Sequence, residues 1–163
     1  MKYLLWVIFL LTAFSLAACA SQPITPPQDS LPQTTPTEAA VEEAQIRQLV
    51  EAFGKRLQDV ALLAPDAAQE LQTQYVEFVS PALLTAWMAD PSKAPGRVTS
   101  SPWPDRIEIT ILTRDGADKY VLTSFVIEIT SVEAASGGAA ARVPVRIVVE
   151  NVQGHWLITE YTQ

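Results

Sequence analysis

Near residue 105 the spacing of apolar residues changes, and that change limits what the chain can fold into. Upstream, Ile46, Leu49, Val50, Phe53, Leu57, Val60 and Ala61 recur on one helical stripe. Glu42, Glu43, Arg47, Glu51, Lys55 and Asp59 fill much of the rest of that helix. Downstream, Ile107, Ile109 and Ile111 alternate with Glu108, Thr110 and Leu112, the two-residue period of a strand. Helices come first and strands second, the pattern of an α+β domain with helices covering one face of a sheet.

The first helix is expected from about residue 37 to 63, ending before Pro65. Its start reads Thr35-Pro36-Thr37-Glu38, with Thr35 as cap, Pro36 in the first turn and Glu38 completing a capping box. Asp66 with Gln69 opens a second helix, whose apolar face is Leu71, Tyr75, Phe78 and Val79. Ser80-Pro81 opens a third, with Leu83, Leu84, Trp87 and Met88 inward, and Asp90-Pro91 closes it. Aromatic residues at this spacing read as core.

Four strands are expected after residue 105. Asp115-Gly116 turns the first into a run from Tyr120 to Val132, with Val121, Phe125, Ile127 and Ile129 on one face. Gly137-Gly138 turns that run into a third strand. There Ala141, Val143, Val145, Ile147 and Val149 alternate with Arg142, Pro144, Arg146 and Glu150. Pro144 favours an edge or bulged position. Gly154 leads into the last strand, His155 to Tyr161. Short turns between consecutive strands make an antiparallel meander.

The N-terminus sets the expected address. One positive charge at Lys2 precedes the apolar run Leu4 to Leu16, and small residues come after it. This is the pattern of a secretory signal. The run is short for a bilayer span, which needs about 20 apolar residues. Leu16-Ala17-Ala18-Cys19 resembles the lipobox of bacterial lipoproteins. That resemblance implies cleavage before Cys19, diacylglycerol on its sulfur, and a mature protein held at the cell membrane or outer membrane, facing away from the cytoplasm. Two or three acyl chains hold a protein stably where one holds it only marginally. Residues 1–18 are then a leader. Residues 19–37 carry the lipid and a tether stiffened by Pro23, Pro26, Pro27, Pro32 and Pro36, and residues 38–163 form the domain.

Composition excludes several classes of function. A net charge of −7, with no basic cluster beyond Lys55-Arg56, argues against nucleic-acid binding. Cys19 is the sole cysteine, so its lipidation leaves no thiol for a disulfide, a nucleophile or a metal. The single histidine, His155, stands at a strand start and reads as solvated. No zinc-binding spacing, nucleophile elbow or glycine-rich phosphate loop occurs, so no metal, cofactor or catalytic residue is assigned.

The long first helix, two short helices and antiparallel sheet resemble the NTF2-like (cystatin-like) superfamily. The closing "GHWLITEY", Gly154 to Tyr161, looks like the last strand of such domains. Narrower segments, "FGKRLQDVALLAP", "APGRVTSSPWPDRIEI" and "EITSVE", resemble small secreted or lipid-anchored bacterial proteins near that superfamily. The resemblance implies a cone of helices on a curved four-stranded sheet. It leaves activity open, since the superfamily holds enzymes, binding proteins and interaction modules. Asp59, Asp105 and Tyr120 are the residues an NTF2-like pocket enzyme of isomerase or dehydratase type would use here for proton transfer.

The unusual stretch is Ala94 to Arg106, "APGRVTSSPWPDR". Pro95-Gly96 suits a type II turn. Trp103 lies between Pro102 and Pro104, Arg97 and Arg106 flank it, and Thr99, Ser100 and Ser101 supply hydroxyls beside Asp105. Two roles are open: a rim that binds an anionic or aromatic group, or a crossover whose tryptophan plugs the core. The leading expectation is a non-enzymatic lipoprotein that contacts a small ligand, an envelope protein or cell-wall material. An interior filled by Trp87, Trp103 and Phe125 favours it over the pocket enzyme. A third reading, a homodimer-forming module, calls for an exposed apolar patch around Val148.

Overall fold

The computed structural model of the protein describes residues 37–163. The expected leader, Cys19, the tether as far as Pro36, and the capping by Thr35 lie outside the described residues. The fold is α+β, three helices and then a four-stranded antiparallel sheet, with a fourth helix between its second and third strands.

Helix α1 runs Glu38–Arg56 behind an extended Thr37, whose side chain makes no capping bond. Ile46, Val50 and Phe53 are fully buried along its inner stripe, and Leu57 and Val60 continue the stripe beyond it. The helix ends earlier than residue 63. After a 3-10 turn at Leu57–Asp59, Val60 is extended. The Arg97 amide donates to the Val60 carbonyl at 2.8 Å, and the Leu62 amide donates to the Arg97 carbonyl at 2.9 Å. Glu70 Oε2 accepts from the Ala61 amide at 2.7 Å. These long-range bonds satisfy backbone groups that a longer helix would have used, so helical propensity yields to tertiary pairing.

Helices α2, Ala67–Tyr75, and α3, Pro81–Ala89, form as expected. Ser80 Oγ accepts from the Leu83 amide, and Pro81 occupies the first turn of α3, where a missing N–H costs nothing.

The sheet has the order β1-β2-β3-β4, from Trp103–Arg114, Lys119–Ile129, Ala141–Val152 and His155–Thr162. Three departures from the expected strands have physical causes. First, β1 opens at Trp103, so Trp103, Asp105 and Arg106 belong to a strand rather than to a loop. Second, the β1–β2 register shifts between Ile109 and Ile111, leaving Thr110 as the extra residue of a bulge. A bulge exchanges the faces of the strand residues beyond it. Leu112 therefore packs against the core while Ile111 is 54% exposed. Third, the inner face of β2 is Tyr120, Leu122, Ser124 and Val126, not the set containing Val121 and Phe125. Ile127, on the other face, is nonetheless fully buried, and it pairs across the sheet with Arg106 and Arg142.

The β2 run also stops short of Val132. Ser131–Ser136 forms helix α4, opened by a capping box in which Glu133 Oε2 accepts from the Thr130 amide and Thr130 Oγ1 accepts from the Val132 amide. In β3, Val145, Ile147 and Val149 are buried as their alternation requires. Pro144 pairs with Phe125 of β2 at a level beyond the reach of β4, whose pairing begins at Arg146. It thus sits at a local edge, where no donor is missed.

Rings pack most of the interior between helices and sheet. Phe53 stands 4.9 Å from Tyr75, 6.4 Å from Trp87 and 6.2 Å from Tyr161, centroid to centroid. Trp87 contacts Tyr75 and Tyr161 at 6.0 Å each. Such pairs contribute about 0.5–1.5 kcal/mol each beyond the area they bury. Trp87 fills the interior as expected, but Trp103 and Phe125 do not. Phe125 pairs across the sheet with Glu108 and Pro144, and the Arg142 guanidinium lies over its ring at 5.2 Å. Val148 is fully buried, so it offers no exposed apolar surface on the outer sheet face.

Candidate functional site

The segment from Ala94 to Pro102 is held at several points. Tyr75 Oη donates to the Pro95 carbonyl at 2.7 Å from inside the core. Arg97 is clamped on both sides of its peptide by Val60 and Leu62, forming a parallel bridge with Ala61. Thr99 Oγ1 donates to the Pro102 carbonyl at 3.0 Å. Gly96 is not in the left-handed region, so the type II turn expected at Pro95-Gly96 is absent. Its lack of a side chain serves close approach instead. A β-carbon there would meet the Val60 carbonyl oxygen and the Leu62 side chain at 3.0 Å.

This anchoring brings part of the expected rim together and separates the rest. Arg97, Ser100 and Trp103 line one groove of about 410 Å³ with Gln58 and Asp59 from the turn after α1. Trp103 is half-buried there, fixed by pairing with Ile129, while Arg97 and Ser100 are exposed. A second groove of about 260 Å³ shares Arg97 and Ser100 and adds Ala61, Leu63, Val98 and Thr99.

Asp105 and Arg106 serve elsewhere. Arg106 donates to Asp105 Oδ2 and to Glu108 Oε1, each at 2.7 Å, and Arg142 reaches Glu108 Oε2 at 2.6 Å. The Arg106 hydrogen bond and the charges of both arginines hold the Glu108 carboxyl below the usual carboxylate range, and its two acidic partners hold Arg106 above its own. Arg106 faces a groove between α1 and β1, with Arg47, Glu51 and Lys55 opposite. Ser101 is exposed.

The residues considered for proton transfer are dispersed. Asp59 is exposed at the rim. Tyr120 is buried, its ring against Trp156 at 5.5 Å and its hydroxyl donating to Glu42 Oε2 at 3.2 Å. Burial and that bond raise it above the ordinary phenol range. Tyr75 and Tyr161 in the filled interior are raised chiefly by burial. Tyr161 Oη accepts from Gln163 Nε2 at 3.1 Å. Among the described residues, no group of three or more His, Cys, Asp or Glu side chains is placed to hold a metal ion. No helix among the described residues is long and apolar enough to cross a membrane.

Sequence reasoning placed Asp59 on the helix surface and did not join it to the rim, and it gave no role to Gln58, Leu63 or Val98. The bridge between Ala61 and Arg97 helps to bring these segments together, and pairing between residues so far apart leaves no periodic trace.

No protein-family model matches the chain, and no curated protein matches it. Among solved structures, the chain is similar to a designed NTF2-like protein, Rd1NTF2_05 with five substitutions, at 17% identity. That match covers 74% of this chain and 99% of the other, with a TM-score of 0.35. The chain is also similar to a SEC-C motif containing protein from Rhodopseudomonas palustris, at 14% identity over 68% of this chain and 88% of the other, with a TM-score of 0.33. At these TM-scores the architecture stands on its own strands and helices: a long helix, two shorter ones and a four-stranded antiparallel sheet as expected, with helix α4 added between β2 and β3.

Proposed function

We propose that the protein is a lipid-anchored module facing away from the cytoplasm, which binds through its surface and catalyses nothing in its interior. The observation that supports this reading is the aromatic cluster of Phe53, Tyr75, Trp87 and Tyr161. An NTF2-like pocket enzyme needs space between sheet and helices for its substrate, with a titrating group facing it. Here rings take most of that space, and the cavity left beside them, lined by Leu57, Leu62, Val126 and Val143, measures about 170 Å³, below the usual range for small-molecule sites. The tyrosine hydroxyls of the cluster are engaged by Pro95 and Gln163. Lipid on Cys19 and the proline-rich tether would place such a module at the membrane, free to meet an envelope component.

The test is occupancy of the interior. The full chain, labelled with fluorotryptophan, is titrated with cyclohex-2-enone, a carbonyl probe of the size an isomerase pocket accepts. The Trp87 fluorine resonance is expected to stay in place. A saturable shift at Trp87 would show an open interior and return the pocket enzyme to the front.

A further inference from the structure

We propose that the rim grooves around Trp103 and Arg97 bind a neutral oligosaccharide, a chain of pyranose rings, with Trp103 as the stacking platform. This deepens the surface-binding reading above and rests on it.

A sugar ring presents one face of C–H groups and an edge of hydroxyls. It needs an aromatic surface beneath it and both donors and acceptors around it. The first groove supplies that set: the Trp103 indole, Arg97 as a five-donor fork, Asp59 as an acceptor, and Gln58 and Ser100 able to do either. The groove of about 410 Å³ lies within the usual range for small-molecule sites.

Charge decides between a neutral and an anionic ligand. The groove holds one guanidinium and one carboxylate, and the chain carries a net charge of −7. Among the described residues neither Arg97 nor Asp59 enters an ion pair, so both keep their hydrogen-bonding capacity for a ligand. A phosphate or carboxylate placed on Arg97 would meet the Asp59 charge in the same groove, although Lys55 and Arg56 line the groove on the other side of Asp59. A neutral polyol uses both groups without that cost. The same carboxylate weighs against a lipid surface, although Leu63 and Val98 are 77% and 58% exposed.

Two further features suit a chain of rings. The second groove continues from Arg97 and Ser100 towards Leu63 and Val98, whose apolar surfaces suit the C–H face of a neighbouring sugar. The backbone at Arg97 and Trp103 is fixed before any ligand arrives, by the bonds to Val60 and Leu62 and by strand pairing with Ile129. Little ordering is then required on binding, which favours a shallow site.

The experiment uses the fluorotryptophan-labelled full chain in phosphocholine micelles, with resonances assigned by Trp→Phe replacement, titrated in turn with chitotetraose and cellotetraose. The expected result is a saturable shift at Trp103 but not at Trp87, with a dissociation constant on the order of 0.1–1 mM. Trp103→Ala should weaken binding about tenfold and Asp59→Asn severalfold, both measured by calorimetry. No shift at Trp103 with either sugar overturns the saccharide site while leaving the non-catalytic reading intact; a shift at Trp87 sinks both. Two controls separate other ligands. Stronger binding of inorganic phosphate than of either sugar, or selective broadening of Trp103 by a doxyl-labelled phosphatidylcholine, would assign the rim to an anion or to the bilayer and overturn the proposal.

Discussion

The backbone nitrogen of Ile107 passes 2.6 Å from the point at which a β-carbon on residue 54 would stand. Gly54 is buried within α1, and Ile107 belongs to β1, so this contact sets how closely the first helix lies on the sheet. A glycine inside a helix ordinarily costs about 1 kcal/mol relative to alanine. Here the close approach outweighs that cost. Because the obstacle is backbone, Gly54→Ala forces helix and strand apart. A net loss of about 2–3 kcal/mol is expected in urea unfolding, where propensity alone predicts a gain. Unchanged or increased stability would contradict the packing.

Ser124 Oγ is fully buried on the inner face of β2 and has no hydrogen-bond partner among the described residues. An orphan hydroxyl in an apolar setting carries an uncompensated desolvation cost. Ser124→Ala removes that cost and leaves a void of one oxygen. The variant is expected to be as stable as the wild type or more stable by about 1 kcal/mol, read from the unfolding midpoint at constant m-value. A loss larger than about 1 kcal/mol would show that Ser124 has a partner, such as a buried water.

Tyr75 links stability to alkaline pH. Burial, helped by the charges of Tyr161, Asp59 and Glu70, pushes its hydroxyl above the ordinary phenol range. The unfolded chain releases this proton from about pH 10, and the folded chain holds it. The contribution is therefore intact below about pH 10. It declines above that pH by about 1.4 kcal/mol per unit from this group. Tyr75→Phe should be less stable at pH 7 by about 1–2 kcal/mol, having lost the bond to the Pro95 carbonyl. Its stability should also fall less steeply above pH 10. Parallel profiles for the two proteins would refute the assignment.

Replacing Cys19 by serine removes the sulfur that the lipobox resemblance marks for acylation. In cells fed labelled palmitate, Cys19→Ser is expected to lose the label and leave the membrane fraction. A variant that stays firmly membrane-bound would point to an uncleaved apolar leader as the anchor.

Much of the fold was legible in the residue order. The stripe from Ile46 to Phe53, the serine-proline start of α3 and the alternation of Val143, Val145, Ile147 and Val149 each record a local rule, and each appears as that rule requires. The threonine and glutamate at 130 and 133 record one as well, a capping box that reading the stretch as strand overlooked. Other features have no local cause. The register shift at Thr110 decides that Leu112 rather than Ile111 faces the core, and it depends on the partner strand. Pairing of Ala61 with Arg97 cuts the helical stretch short and carries Asp59 to the rim beside Trp103. Side-chain periodicity is written along one segment at a time, whereas register and rim geometry arise from hydrogen bonds between segments far apart in sequence.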